Sequence, residues 1–427
     1  MARIPQDGVI DSTPALLTDG YEFVSKRCQK HQSDVFETRL MLRKTICMKG
    51  AKAAELFYDT DRFQREGAMP KRVLKTLLGE GGVQGLDDEA HRHRKRMFLD
   101  LMAPEEIARL VDLMSTMWSQ ALTRWKTADR VVLHPEVQQI IFRAVCLWAG
   151  VPLDESEIAD RTGDLAAMID GAGGIIPRYR RGVKGRNRAE QWAAQVVADV
   201  RAGRIGAREG TALAAVSYHR ELDRELLDEH TAAVELLNVI RPTVAVARFV
   251  TFSAVALHEH PDIRERIANG SDEYLGWFVQ EVRRFYPFFP LVGAVVRKDF
   301  DWNGYRFPAG RRVLLDLYGT NHDERSWVDP RNFKPERFAN RDENPYDFIP
   351  QGGGDHARNH RCPGEWITIE LMKAAAQLLV HSMSYEVPPQ DLTISLSRIP
   401  AIPESGFVIT NVKTTASKRA RRSRGRS

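Results

Sequence analysis

Between Asp228 and Pro261 the chain reads DEHTAAVELLNVIRPTVAVARFVTFSAVALHEHP, and no other stretch constrains the fold as much. The spacing predicts one helix from about Asp228 to His260, stopped by Pro261, with a length on the order of 45 Å at 1.5 Å per residue. Such a helix crosses a whole domain. Apart from Glu235, Arg241 and Arg248 it is apolar almost all round, which places it in the middle of a protein rather than on its surface. Arg241 and Pro242 fit badly there. A proline inside a helix removes a backbone hydrogen bond and clashes with the preceding turn at roughly 3 kcal/mol, and an unpaired buried guanidinium costs still more. A partner outside the helix is therefore expected for Arg241.

The remaining pattern is mostly helical. Residues 33–50 alternate in short Thr-, Ile- and Phe-containing runs and predict a hairpin, whereas 51–285 carry apolar residues at three- and four-residue spacing, with helix starts at Pro104 and Asp272. After residue 290 two alternating runs flank Asn303-Gly304, a turn signal. Residues 319–366 form a long stretch of turn formers and charges, far longer than ordinary loops, and so are expected to wrap something functional. A last helix and a strand-like ESGFVITNV follow. With no repeat or linker, this is a mainly α chain with small β-sheets: one large domain over 1–415 and a basic, disordered tail over 416–427.

That tail matters for the charge. Its six basic residues (Lys418, Arg419, Arg421, Arg422, Arg424, Arg426) exceed the net +5 of the 427-residue chain, so the body is near neutral and offers no basic face for nucleic acid. The tail reads as a solvated end or as a tether to an acidic surface. No uninterrupted apolar run of 18 residues and no N-terminal apolar segment is present, so neither a membrane span nor a signal peptide is expected. Cys28, Cys47, Cys146 and Cys362 form no paired framework, which fits a reducing, cytoplasmic compartment.

Three groups can carry chemistry. Cys362 ends the glycine-rich PQGGGDHARNHRCPGEW just before a helix, where the dipole lowers a thiol pKa and suits it to a metal. The alternatives are a structural thiol, or zinc held with His356 and His360, although that spacing matches no standard zinc pattern. Glu281 and Arg284 are three apart on one helical face, as are, at four, His91 and Lys95. The first pair can be a surface ion pair, and the second either a cradle for carboxylates or a solvated stripe.

Taken in order, the His91/Lys95 helix, the long central helix, Glu281-x-x-Arg284, FKPERF at 333–338 and the late CPG resemble the cytochrome P-450 haem-thiolate superfamily. The resemblance implies that fold, with the long helix crossing over haem b. It makes Cys362 the axial iron ligand, sets Glu281, Arg284 and Arg337 to brace the cysteine loop, and assigns Arg65, His91 and Lys95 to the haem propionates. Two features depart from the superfamily pattern. Phe348 stands fourteen residues before Cys362 instead of seven, with Arg358 at the usual glycine position, and the central helix lacks the acid beside Thr243 that delivers protons to dioxygen.

Both departures, with LLNVIRPTVA, GEGGVQGLD, QEVRRFYPFFP, LDLYGTNHD and IPQGGGDHARNHRCPGEW, resemble the bacterial fatty-acid peroxygenases. This branch implies direct use of hydrogen peroxide, no obligatory redox partner, and a long-chain fatty acid whose carboxylate pairs with Arg241 and serves as acid–base group, with Pro242 opening space beside it. Hydroxylation at the α or β carbon follows. Leu78 and Phe288 match substrate-facing positions, and Gln84 stands where a histidine accompanies decarboxylation to alkenes in some relatives. Decarboxylation, an oxygen-dependent monooxygenase with separate redox partners, and a non-catalytic haem or lipid carrier are the alternatives.

Overall fold

A computed structural model describes residues 3–415, so the expected tail at 416–427 lies outside the described residues. Nine helices organise the region around the site: α1 (Asp88–Asp100), α2 (Pro104–Trp125), α3 (Leu133–Ala149), α4 (Ile158–Gly171), α5 (Ile176–Arg201), α6 (Glu229–Ala245), α7 (Ala247–Glu259), α8 (Asp272–Phe285) and α9 (Glu365–Gln377). Pro104 opens α2 as expected, and Ser271 caps α8 by accepting a hydrogen bond from the Tyr274 N–H.

The long helix is present as α6 and α7, in line from Glu229 to Glu259. Asp228 caps its start, accepting from the Thr231 N–H at 2.9 Å. It is apolar and long enough to cross a membrane, but 94% of its most apolar window is buried inside the protein, so its hydrophobicity serves the core. Val246 interrupts the α pattern, its N–H turning to the Thr243 carbonyl at 3.1 Å. Pro242 stands one turn before this break; it has no N–H, and its ring crowds the Asn238 carbonyl one turn back.

Among the described residues ten strands make three small sheets: β1 (Val35–Leu40), β2 (Arg43–Met48), β3 (Phe63–Gln64), β4 (Val131–Val132), β5 (Leu291–Val296), β6 (Phe300–Trp302), β7 (Tyr305–Phe307), β8 (Arg312–Asp316), β9 (Met383–Glu386) and β10 (Val408–Thr414). The early hairpin is β1–β2, and Asn303-Gly304 turns β6 into β7. The runs outside that turn do not extend it. Instead β5 and β8 pair with each other in a five-stranded sheet of order β1-β2-β8-β5-β3, where β2 and β8 run parallel across some 270 residues of sequence. That pairing puts the N-terminal hairpin beside β8, with β5, the strand that follows Phe288, on the other side of β8, an arrangement no local pattern encodes. The long 319–366 stretch contains only a short 3₁₀ turn, Pro335–Phe338, after the helical turn Leu317–Asn321. The remainder lies as turns beneath α8 and α9.

Candidate active site

A cavity of about 810 Å³ lies between α6 and the loop that precedes α9. Arg65, Leu78, Gln84, His91, Lys95, Arg241, Pro242, Phe288 and Cys362 all line it, although they come from most of the length of the chain. Glu281, Arg284 and Arg337 do not reach it and form a separate cluster behind the cysteine loop.

Cys362 forms the floor. Its N–H donates to the Gln351 carbonyl at 3.0 Å, folding the loop back on itself. The fold-back uses Gly352, whose φ of +96° favours glycine and where a Cβ would stand only 3.2 Å from the Arg361 Cα. At the start of α9, Glu365 is buried between Arg283 at 2.5 Å and Arg361 at 2.6 Å, which hold it as a carboxylate with a pKa near 2 despite its burial. This corrects the expectation of a lowered thiol pKa. Burial and the Glu365 charge push the Cys362 thiol up, outweighing the Gly364 N–H, Lys95 and Arg283. A metal ion at sulfur reverses that balance by replacing the proton outright.

The zinc alternative fails on geometry. The His356 ring is engaged with the Cys362 carbonyl and the His360 ring with the Leu86 carbonyl, and no three His, Cys, Asp or Glu side chains converge as metal ligands among the described residues. Cys28, Cys47 and Cys146 are buried free thiols, as the pattern implied.

One edge of the cavity is basic. His91 is buried and stacks on His360 at 3.7 Å between centroids, and Lys95, one turn later on α1, is buried with its ammonium on the carbonyls of Asn359 and Arg361. Arg65 lies over the Phe57 ring at 4.2 Å. None of the three forms a salt bridge among the described residues. Burial lowers each: Arg65 to about 10, Lys95 to about 8, and His91 to about 4 with Lys95 and Arg65 adding repulsion. Three basic groups held against desolvation around one cavity invite carboxylates.

The ceiling is α6. Of the three buried charged residues in the long helix, Glu235 pairs with Arg94 at 3.1 Å and accepts the Val83 N–H at 2.8 Å, while Arg248 pairs with Asp170 and donates to the Ala401 carbonyl. Arg241 alone has no carboxylate among the described residues. Its Nη2 donates to Asn238 Oδ1 at 3.0 Å, its Nε is buried without a partner, and burial lowers its pKa to about 9, with Arg186 adding repulsion. Asn238 in turn donates to Glu235 at 2.8 Å and to Gln84 at 3.2 Å. A chain of hydrogen bonds therefore fixes the guanidinium from behind and leaves it facing the cavity.

The glycines of GEGGVQG allow this approach. A Cβ on Gly82 would meet the Asn238 and Gln84 amides at 2.9 Å, and one on Gly79, at φ +86°, would overlap Arg186. Leu78 ends a π-helical turn, Leu74–Leu78, a geometry that re-aims side chains at functional sites. Phe288 stacks on Phe249 at 4.1 Å across the apolar wall.

Behind the floor, Glu281 and Arg284 are fully buried and joined by two bonds of 2.8 Å. Glu281 also takes Arg337 at 3.1 Å and the Lys334 N–H at 2.8 Å, and Arg284 donates to the Asn321 and Pro330 carbonyls. The surface-pair alternative is thus excluded.

These features match known proteins. The family model for cytochrome P450 matches residues 271–410. Among solved structures, a variant of cytochrome P450SP alpha (CYP152B1) is 52% identical, with 95% of this chain and 99% of that one aligned at a TM-score of 0.93. The chain belongs to the cytochrome P450 family. Cytochrome P450EX alpha (CYP152N1), solved with myristic acid, is 44% identical over 97% of this chain and all of that one, TM-score 0.94. A variant of cytochrome P450 OleT, solved with arachidonic acid, is 36% identical over 98% and 100%, TM-score 0.94. The resemblance to the fatty-acid peroxygenase branch is borne out by these matches.

Cytochromes P450 carry haem on a cysteine thiolate, and the donor set of this one fits that group: a thiol at the floor of a large cavity and basic side chains without carboxylate partners at its edge. Asn238, Glu235 and Arg94 were not foreseen as part of the site. The signal for Asn238 and Glu235 was a buried-helix pattern carrying Asn and Glu at three-residue spacing before Arg241, whereas Arg94, on α1, carried none.

Proposed function

We propose that this cytochrome P450 hydroxylates long-chain fatty acids at the α (or β) carbon with hydrogen peroxide, in a cytoplasmic setting and without an obligatory redox partner. The observation that carries this reading is Arg241, a buried guanidinium with no carboxylate of its own at the inner end of an apolar cavity that it shares with Cys362.

Cys362 would hold the haem through its thiolate and Arg65, His91 and Lys95 would hold its carboxylates; bound there, the group would supply the oxidising chemistry with peroxide. The protein supplies the rest. A fatty-acid carboxylate entering the cavity pairs with Arg241, an interaction strengthened by charge and by the absence of water. Asn238 fixes the guanidinium so that the carboxylate arrives in one place. Held there, its oxygen accepts a proton from peroxide and returns it to the departing oxygen, the acid–base service that a side chain otherwise performs. No side chain in the helix offers it, since Glu235 is committed to Arg94 and Val83, and the Thr243 hydroxyl donates to the Val239 carbonyl at 2.8 Å. The balance is one C–H and one peroxide to one alcohol and one water.

Anchoring also sets position, because the carbons next to the held carboxylate are the α and β carbons. Leu78 and Phe288 pack the chain beside them. Gln84 brings an amide already bonded to Asn238 and no titratable proton, which favours hydroxylation over decarboxylation. Glu281, Arg284 and Arg337 brace the loop from behind.

The test is to incubate the holoenzyme with a long-chain fatty acid and hydrogen peroxide, without reductant, and identify products by mass spectrometry. 2- or 3-hydroxy acids are expected. Terminal alkenes as the main product would move the reaction to decarboxylation, and no product without a reductase would refute the peroxide reading.

A further inference from the structure

The cavity reaches the surface between the β1–β2 turn and the start of α5, where Leu17, Met41, Ile175 and Arg178 line it. Large apolar side chains stand exposed around that opening: Leu42 at 72%, Ile175 at 63% and Ile176 at 67%. Ile10 joins them at 81%, held close because the neighbouring Asp11 carboxylate accepts the Leu42 N–H.

Met41 and Leu42 are unusual in a second way. Both sit in the left-handed region, at φ +53° and +61°, in a two-residue turn that normally takes Asn-Gly. Bulky residues are disfavoured there, and Leu42, at 72% exposure, gains little burial within the fold that would offset the strain. The rim is basic. Arg43, Lys44, Arg180, Arg181 and Lys184 are exposed, and none of the five forms a salt bridge among the described residues. No acidic residue occurs between Gly171 and Ala189. Arg72 closes the ring by donating to the Gly174 carbonyl at 2.5 Å.

We propose that this face docks on an anionic lipid bilayer and takes its fatty acid directly from the membrane. The inference rests on the fatty-acid reading above. Exposed apolar side chains ringed by Lys and Arg match the layered chemistry of a bilayer surface, with acyl chains below and anionic headgroups above. Substrate polarity points to the same occupant. Arg241 lies at the deep end, so the fatty acid must enter carboxylate first. A fatty acid in a bilayer presents its carboxylate outward at headgroup level, toward a protein docked over it, and leaves in that orientation. An acyl chain tethered through its carbonyl to a carrier protein cannot reach Arg241 as a free carboxylate.

The experiment is co-sedimentation of the full-chain holoenzyme with phosphatidylcholine vesicles, with and without phosphatidylglycerol, read without fatty acid or peroxide so that it is independent of turnover. Binding is expected on the anionic vesicles and not on the zwitterionic ones. It should fall about tenfold in Leu42→Asp/Ile176→Asp and in Arg180→Glu/Arg181→Glu. All four positions are exposed, and Asp tolerates the left-handed backbone at 42 better than Leu does. Equal binding to both vesicle types overturns the proposal, as does unchanged binding of both double variants, which would place the attraction in the basic residues after 415. Binding of this face to an acidic acyl carrier protein in place of vesicles overturns it as well.

Discussion

Replacing Arg241 by Met should make the unliganded enzyme more stable and leave it unable to process fatty acids. The stem volume is roughly kept while the charge is removed. Burial, with Arg186 nearby, holds Arg241 at a pKa of about 9 instead of the ordinary 12.5, a drop worth on the order of 5 kcal/mol. The sign follows from the two states. In the unfolded chain the guanidinium is charged and solvated. In the folded one it is charged below pH about 9 but desolvated, so at neutral pH it opposes folding. Met removes that opposition but leaves Asn238 Oδ1, which now accepts from Nη2 at 3.0 Å, without its donor, at about 1–3 kcal/mol. A net gain of about 2–4 kcal/mol remains.

Fatty acid should act in the opposite direction. Loss of one member of a buried, hydrogen-bonded charge pair costs about 2–5 kcal/mol, and loss of a positioned acid–base group a further 10²- to 10⁴-fold in rate, as orders of magnitude. The assay is urea denaturation of wild type and Arg241→Met, with and without a saturating fatty acid, beside peroxide-driven turnover. Wild type should be stabilised by fatty acid and the variant should not. A variant less stable than wild type without ligand, or one retaining hydroxylation within a few-fold, would refute the reasoning.

The other outcomes concern the frame around the site. Cys362→Ala should keep the fold but lose the thiolate-haem absorption spectrum. Glu281→Ala strands Arg284 and Arg337, both bonded to Glu281 in a buried cluster, and should cost about 3–5 kcal/mol, seen as loss of folded holoprotein on expression; a wild-type melting curve would show the cluster to be dispensable. His322 is buried, bonded to the Tyr318 carbonyl at 2.9 Å and pushed down to about 3 by burial, with Arg284 adding repulsion. Since the unfolded chain takes up this proton near pH 6.5 and the folded protein does not, stability is lost as pH falls from there toward 3. His322→Gln should therefore lose about 3 kcal/mol less than wild type between neutral pH and about pH 4 in urea melts, and parallel profiles would show that other groups govern the acid side.

Some elements were legible because their determinants are local. The Glu229–Glu259 helix, the hairpin at Asn303-Gly304 and the starts at Pro104 and Asp272 follow from periodicity, turn chemistry and caps that act within a few residues. Others were not. The parallel β2–β8 pair joins distant segments through main-chain bonds that carry no residue signature. The raised Cys362 thiol pKa depends on Glu365 being held charged by Arg283 and Arg361, two side chains from different elements. A helix dipole read from sequence cannot include them.

By itself the sequence determined the long apolar helix, placed Arg241 and Pro242 inside it, and put Cys362 before a helix with Glu281 and Arg284 on another. The tertiary structure alone decided which charges find partners. Glu235 meets Arg94, Arg248 meets Asp170 and Glu281 meets Arg284, while Arg241 is left with a neutral amide and a cavity. The physical reason is that desolvation is set by everything packed around a group, and pairing by side chains far away in sequence, 141 residues for Arg94 and Glu235. A buried charge becomes a binding site only when the completed fold has offered it no partner.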